Sequence, residues 1–174
     1  MRKFKLTVRE MTLFAMYAAL MLVSKLLMQS LPNVHLIGMF TVLLTVVYRK
    51  KALIPIYLFV LLNGLVSGFT PFLIPYVYVW AVLWGVAMLL PKNLSYKTAS
   101  VVYPLVCALH GFSFGLLYAP FQALAFGMYG KALWAWIIAG RGFDISHGIG
   151  NFVLGFLVYP LSKLLLRMEK QYRR

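Results

Sequence analysis

Long apolar runs, separated by short stretches that contain charged residues, proline or glycine, dominate this chain. A helix needs about 20 apolar residues to cross a hydrocarbon core about 30 Å thick. Of the 174 residues, 63% are hydrophobic and only 11% are charged, so lipid is the expected solvent for most of the surface. The runs predict one all-α transmembrane domain over residues 1–174. Six spans are predicted, at residues 7–31, 36–48, 52–69, 74–90, 99–118 and 144–166.

The stretch 119–143 lies between the last two predicted spans. It is amphipathic and rich in aromatic residues, which favours an outer-face loop with a short interfacial helix around 133–138. We expect this loop to be the most mobile part of the chain.

Lysine and arginine are distributed unevenly between the two sets of span ends. Basic loops resist translocation, so the basic side of a membrane protein is its cytoplasmic side. Lys25 lies within the first span, and only Lys131 and Arg141 lie on the opposite side. The other fourteen of the 17 basic residues share one side: Arg2, Lys3, Lys5, Arg9, Arg49, Lys50, Lys51, Lys92, Lys97, Lys163, Arg167, Lys170, Arg173 and Arg174. This bias predicts an even number of spans with both termini in the cytoplasm.

The net charge of +14 is therefore interpreted as a sign of which side of the membrane the loops lie on. A protein that binds nucleic acid concentrates its basic residues on one folded surface, whereas here they recur between apolar runs. We expect no nucleic-acid partner. Cys107 is the single cysteine and lies in an apolar run, so neither an internal disulfide nor a cysteine-rich metal site is expected.

Lys25 is the charged residue most in need of an explanation, because charges within spans are costly without a partner or a water-filled cavity. It lies 16 residues after Arg9, which places it about 24 Å along a helix, near the outer surface. Two alternatives follow. Lys25 extends to the outer headgroups, or it lines a pocket that opens outward.

The start of the sixth predicted span carries Asp144, His147 and Asn151 at i, i+3 and i+7, on one helical face. Asp144 is the only acid expected on the outer side, and capping of its own helix would also explain it. For His147 and Asn151, ligand binding and an interhelical hydrogen bond are both open. The face as a whole is the stronger candidate site.

Two further segments carry candidate residues. Pro32, Asn33 and His35 form a short polar turn after the first span, which reads either as an ordinary turn or as a lid over a pocket. In the fourth span, Tyr76, Trp80 and Trp84 share a face, and Trp80 is deep enough to stack on a flat ligand.

Other patterns are less informative. Gly111-Phe-Ser-Phe-Gly115 matches the G-x-S-x-G string of serine hydrolases, but the strand-to-helix elbow that gives it meaning is not expected here. His35, His110 and His147 lack metal-site spacing. Pairs of small residues four apart usually pack helices within a bundle. They occur at Ala15 and Ala19, Gly64 and Gly68, and Gly111 and Gly115.

Four of these segments, in this order and spacing, resemble the substrate-binding S components of energy-coupling factor (ECF) transporters, small six-helix prokaryotic membrane proteins that capture vitamins. The resemblance covers nearly the whole chain. It rests on Ala15-Met-Tyr-Ala-Ala19, Leu31-Pro-Asn-Val-His35, Tyr76-Val-Tyr-Val-Trp80, and Phe143-Asp-Ile-Ser-His147 followed by Asn151.

The resemblance implies that Ala15 and Ala19 dock on a transmembrane coupling subunit, which joins two ATP-binding subunits to complete the importer in the cell membrane. The chain has no GxxxxGK[ST] string, so ATP would be used by the partners and no cofactor is expected on this chain. The turn with Asn33 and His35 becomes an expected gate. Similar members more often carry an acid where His35 stands.

The branch most resembled includes cobalamin S components, with relatives assigned to queuosine precursors. Cobalamin is therefore the first expectation, and a queuosine precursor or another vitamin is the alternative. A stand-alone secondary transporter and an intramembrane serine hydrolase are the rivals from other classes. No catalytic residue is assigned. The expected substrate-binding residues are Lys25, Asn33, His35, Tyr76, Trp80, His110, Asp144, His147 and Asn151.

Overall fold

The computed structural model describes residues 6–31 and 33–172. Over these residues the chain is helical and contains no β-strand. The α-helices are α1 Val8–Leu27, α2 Ile37–Tyr48, α3 Leu53–Ser67, α4 Ile74–Leu89, α5 Tyr96–Phe112, α6 Phe114–Phe126, α7 Gly130–Ala139, α8 Arg141–Gly155 and α9 Val158–Tyr172. The turn residue Pro32 and the basic residues Arg2, Lys3, Lys5, Arg173 and Arg174 lie outside the described residues.

Several helices could span a membrane, as expected of a multi-pass membrane protein. By length and hydropathy, four described stretches qualify: Val8–Leu27, Ile37–Ser67, Pro71–Leu89 and Tyr96–Phe126. A fifth is reached if α8 and α9, which meet at 46°, form one span. This count is below the six predicted spans because α2 and α3 are counted together as the single stretch Ile37–Ser67. With 12 and 15 residues, each helix alone is shorter than the about 20 residues that a crossing needs.

A tight turn at Arg49 separates α2 from α3. Arg49 has a φ of 53°, a value that interrupts a right-handed helix. Its guanidinium donates hydrogen bonds to the carbonyls of Met88 at 2.5 Å and Leu90 at 3.4 Å. The indole N–H of Trp84 donates to the carbonyl of Arg49 at 3.2 Å. The turn is thereby fastened to the last residues of α4.

Ion pairs gather at this end of the bundle, which we call the basic end. The Lys51 amine contacts Glu10 at 2.5 Å, and Arg9 contacts Glu169 at 3.0 Å. They join the start of α1 to the α2–α3 turn and to α9. At the opposite end, the Lys25 end, the Lys25 amine reaches Asn63 of α3.

The core is apolar and lies between α1, α2, α3 and α4. Its fully buried members include Phe14, Met21, Ile37, Ile56 and Phe59. Helices α1, α3 and α4 turn one stripe to this core and leave large apolar side chains exposed on the other face, whereas α2 is buried or half-buried along its whole length. Such an all-round apolar helix is typical of a lipid-facing bundle.

Helices α5 and α8 pack at backbone contact through glycines. A Cβ atom added to Gly111 would lie 2.8 Å from the backbone of Gly148, and one added to Gly155 would lie 2.5 Å from Cα of Pro104. Two helices approach this closely only where side chains are missing from the interface. Replacing these glycines would force the helices apart.

The region after α5 differs from the prediction. The short helix expected at 133–138 is present within α7, but 119–126, expected to be loop, continues α6, which ends before Gly127 at φ 63°. The last predicted span, 144–166, is two helices. Pro160 lies in the first turn of α9, where its ring and missing N–H end the preceding helix.

Gly155→Ala tests the α5–α8 contact. We expect it to destabilise the protein by about 1–3 kcal/mol, because the added methyl collides with the Pro104 backbone. Gly142→Ala, in the same helix with open space around it, is the matched control, and it should stabilise by up to about 1 kcal/mol through helix propensity. Thermal melting in detergent measures both. A Gly155→Ala protein that melts at or above the wild-type temperature would contradict the packing.

Candidate functional site

A cavity of about 170 Å³ lies at the Lys25 end, beneath the chain that connects α1 to α2. We call this chain, residues 28–31 and 33–36, the α1–α2 connection. The cavity is lined by Lys25, Met28, Gln29, Leu31, Asn33, Val34, His35, Tyr76, Phe114 and His147. Its walls therefore come from α1, α4, α6 and α8, with the connection as the cover.

Three histidines from distant parts of the sequence meet at its floor. The ring of His147 lies 4.8 Å from that of His35 and 6.3 Å from that of His110, measured between centroids. Trp80 lies 5.9 Å from His35 and 5.4 Å from His110. Seven of the nine expected binding residues thus line or adjoin one cavity: Lys25, Asn33, His35, Tyr76, Trp80, His110 and His147.

These buried groups keep hydrogen-bonding atoms that no described protein group satisfies. Among the described residues these atoms are Nδ1 of His35, Nε1 of Trp80, Nδ1 of His110, both ring nitrogens of His147 and Oδ1 of Asn151, and the hydroxyls of Thr41 and Tyr78 are two more. His147 is only 1% exposed. A buried polar atom without a partner costs about 1–3 kcal/mol, and native proteins contain few. His35 and His147 line the cavity and Trp80 and His110 adjoin it, which makes the cavity the candidate binding place for a polar molecule.

The tautomer of one histidine follows from its surroundings. Nε2 of His110 lies 3.1 Å from the carbonyl oxygen of Val79, and a carbonyl only accepts, so Nε2–H is the donor. Nδ1 of His110 then carries a lone pair. His110 therefore has an unpartnered acceptor, and the neighbouring Trp80 has an unpartnered indole N–H donor.

Lys25 turns into the bundle. Its amine donates to Oδ1 of Asn63 at 2.5 Å and lies 5.4 Å from the centroid of the Tyr76 ring. It lines the cavity and also a neighbouring one of about 180 Å³ that includes Asn63 and Tyr118. Asn63 was not among the expected site residues, although a lone asparagine in an apolar run is a signal that could have found it.

Asp144 and Asn151 lie on either side of His147 along α8 and make different contacts. Oδ1 of Asp144 accepts a hydrogen bond from the backbone N–H of Gly115 at 2.9 Å, so the carboxylate satisfies the start of α6 and does not line the cavity. Nδ2 of Asn151 donates to the carbonyl of Cys107 at 3.2 Å. Asn151 therefore ties α8 to α5 beneath the cavity floor.

The connection above the cavity has a strained residue and a buried one. Asn33 is exposed with a φ of 56°, a left-handed conformation that asparagine adopts more readily than most residues. His35 is buried below it. Burial lowers the pKa of His35 from 6.5 to about 4, because a charged imidazole loses its hydration there.

Two other motifs do not form sites around the cavity. The hydroxyl of Ser113 donates to the backbone carbonyl of His110 at 3.2 Å and contacts no imidazole among the described residues. The G-x-S-x-G string spans the junction of α5 and α6, without the strand that forms a nucleophile elbow. Within residues 6–31 and 33–172, no three His, Cys, Asp or Glu side chains form a group that could hold a metal ion.

Comparison with models of known families, with curated proteins and with solved structures found no match to this chain. The strongest indications of function are therefore the cavity, its unsatisfied polar floor and the inward lysine. All three belong to the Lys25 end of the bundle.

The pKa of His35 reports whether the connection covers the cavity. We expect the NMR titration midpoint of His35 to lie near 4, with His35→Gln used to assign its signal among the three histidines. The unfolded chain takes up this proton near 6.5, so acidification from 6.5 towards 4 should destabilise the fold. A midpoint near 6.5 would show that water reaches the imidazole and that the connection is open.

Proposed function

We propose that this chain is the membrane-embedded substrate-binding subunit of an ECF-type importer. It would capture a small molecule from outside in the cavity beneath the α1–α2 connection. A transmembrane coupling subunit and two ATP-binding subunits would then drive its release inward. The observation that carries the proposal is the set of unpartnered polar atoms on His35, Trp80, His110 and His147, which line or adjoin one cavity.

We also propose six passes, with both termini in the cytoplasm. Lys51 lies beside Glu10, and Lys25 lies beside Asn63, which supports a parallel course for α1 and α3. The helix between them, α2, starts beside the cavity and ends with Tyr48, whose ring is 5.1 Å from that of Phe14 near the basic end. This favours two short traverses over one stretch of 31 residues.

The positions of the ends support the same orientation. Arg9 at the start of α1 pairs with Glu169 near the end of α9, so both termini of the described chain approach one side of the bundle. That side also carries Arg49 and Lys51. An excess of basic residues marks the cytoplasmic side.

The proposed docking face for the coupling subunit is the outer stripe of α1. Ala15 and Ala19 are exposed, whereas Phe14 and Ala18, which precede them in sequence, are buried in the core. Small exposed residues let a partner helix approach the backbone closely. The location of the pair, nearer the basic end than Lys25, would keep the partner away from the cavity.

The size of the cavity bears on the identity of the ligand. Ligand pockets usually measure about 300–1,000 Å³, and this one measures about 170 Å³. Cobalamin, the first expectation from sequence, would require the α1–α2 connection to open and the helices around it to separate. A smaller ligand, such as a queuosine precursor or another small vitamin, is favoured by the volume.

The two rival functions have weaker support. A secondary transporter usually couples to an ion through acids deep in the membrane, and Asp144 instead accepts a hydrogen bond from Gly115. A serine hydrolase needs a base beside its nucleophile, and Ser113 bonds to a backbone carbonyl.

Fluorophosphonate labelling that disappears in Ser113→Ala would favour the hydrolase; we expect no such labelling.

The double variant Ala15→Trp with Ala19→Trp tests the assembly. We expect at least a tenfold loss of ATP-binding subunits copurified from the native cells, because two indoles block the helix contact, while the small molecule that copurifies with the chain is retained. Mass spectrometry measures both. Val153→Trp on α8, where the side chain is 60% exposed, is the matched control. Unchanged copurification of the ATP-binding subunits with the double variant would contradict the proposed docking face.

A further inference from the structure

Lys25 has no acidic partner, although its amine is turned into the bundle. The chain has three acidic side chains in all. Glu10 contacts Lys51, Glu169 contacts Arg9, and Asp144 accepts from the N–H of Gly115. Lys25 is left with the neutral amide of Asn63 and the face of the Tyr76 ring.

Such an arrangement is unfavourable on its own. A cation within a membrane bundle normally pairs with an anion or faces a water-filled cavity, and it marks a functional site by default. An amide oxygen and an aromatic face compensate the charge only in part. An oxyanion next to the amine would form a charge-assisted hydrogen bond, the strongest kind available to lysine.

The same cavity that receives Lys25 also has features for the uncharged part of a ligand. The rings of Tyr76 and Phe114 form apolar walls, and His147, which lines the cavity, keeps both nitrogens unpartnered. Flat aromatic walls favour a planar ligand, and unpartnered ring nitrogens favour one with polar edge atoms. Among the residues that line the cavity, none is acidic, so an anion meets no repulsion there.

We propose that the ligand is a small planar heterocycle with an anionic group, carboxylate or phosphate, that pairs with Lys25 while its ring meets His147 between Tyr76 and Phe114. This inference rests on the proposed function, since it assigns the ligand class of the same cavity. The volume of about 170 Å³ limits the ring system to one or two fused rings. A bulky corrinoid falls outside this class.

The test uses the full chain, purified from its native cells together with any small molecule that it binds. Wild type, Lys25→Met, Lys25→Arg and the control Lys131→Met, at an exposed lysine of α7, are purified in mild detergent. Small molecules are extracted and identified by mass spectrometry. A panel of heteroaromatic acids, their phosphate esters and the matching amides is then tested by thermal shift on each protein.

We expect an anionic aromatic molecule in wild type and in Lys131→Met, at least a tenfold lower occupancy in Lys25→Met, and partial retention in Lys25→Arg. In the panel, acids or phosphate esters should stabilise wild type more than the matching amides, and this difference should vanish in Lys25→Met. Which of the two anions gives the larger shift identifies the group. Without any ligand, Lys25→Met should melt at or above wild type, because an unpaired charge has been removed.

The failures are distinguishable. A neutral molecule bound to wild type, or equal occupancy in Lys25→Met, would overturn the anionic ligand and leave the proposed function standing. A ligand-free Lys25→Met protein that melts well below wild type would show that Lys25 is there to hold Asn63 in place. If wild type yields no molecule and responds to none of the panel, both the inference and the proposed function are wrong.

Discussion

The contact between α5 and α8 positions His110 and His147, two of the three histidines of the candidate site. Gly111 and Gly148 let the two backbones touch, and Asn151 adds a hydrogen bond to the carbonyl of Cys107. With the helices at this distance, His147 of α8 reaches the space between His110 and the α1–α2 connection. A larger residue at either glycine would move His147 away from its neighbours, so the polar floor depends on an apolar packing contact.

The other side of the cavity is held by ring contacts and by the turn of the connection. Trp80 packs against His35 and His110 through ring contacts, and Asn33 keeps the connection in a left-handed turn. Backbone hydrogen bonds from Leu31 to Met28 and from Val34 to Leu31 hold the described part of the connection. A ligand that engages His35 and His147 together would favour the covered state by its differential affinity for the covered and open arrangements.

Sequence patterns predicted the helical character and the small set of polar residues, because an apolar environment makes each polar side chain conspicuous. They did not predict which of these residues line the cavity and which make contacts between helices. Asp144, His147 and Asn151 share a helical face, yet Asp144 serves the start of α6, His147 meets the cavity, and Asn151 joins two helices. Periodicity gives a direction around one helix, whereas these roles depend on which neighbours lie opposite. Phe114 lines the cavity because of the helices that surround it, and no sequence pattern singles it out.

The two ends of the bundle are stabilised by different forces, and this difference bears on how a ligand could enter. At the basic end, Arg9 with Glu169 and Lys51 with Glu10 join α1 to α9 and to the α2–α3 turn. At the Lys25 end, the same helix is held by one hydrogen bond to neutral Asn63 and by ring contacts. Neither of the two ion pairs lies at the Lys25 end, so separating α1 from its neighbours there would break neither of them. In the proposed importer, entry of a ligand from the Lys25 end would leave the surface around Ala15 and Ala19 undisturbed.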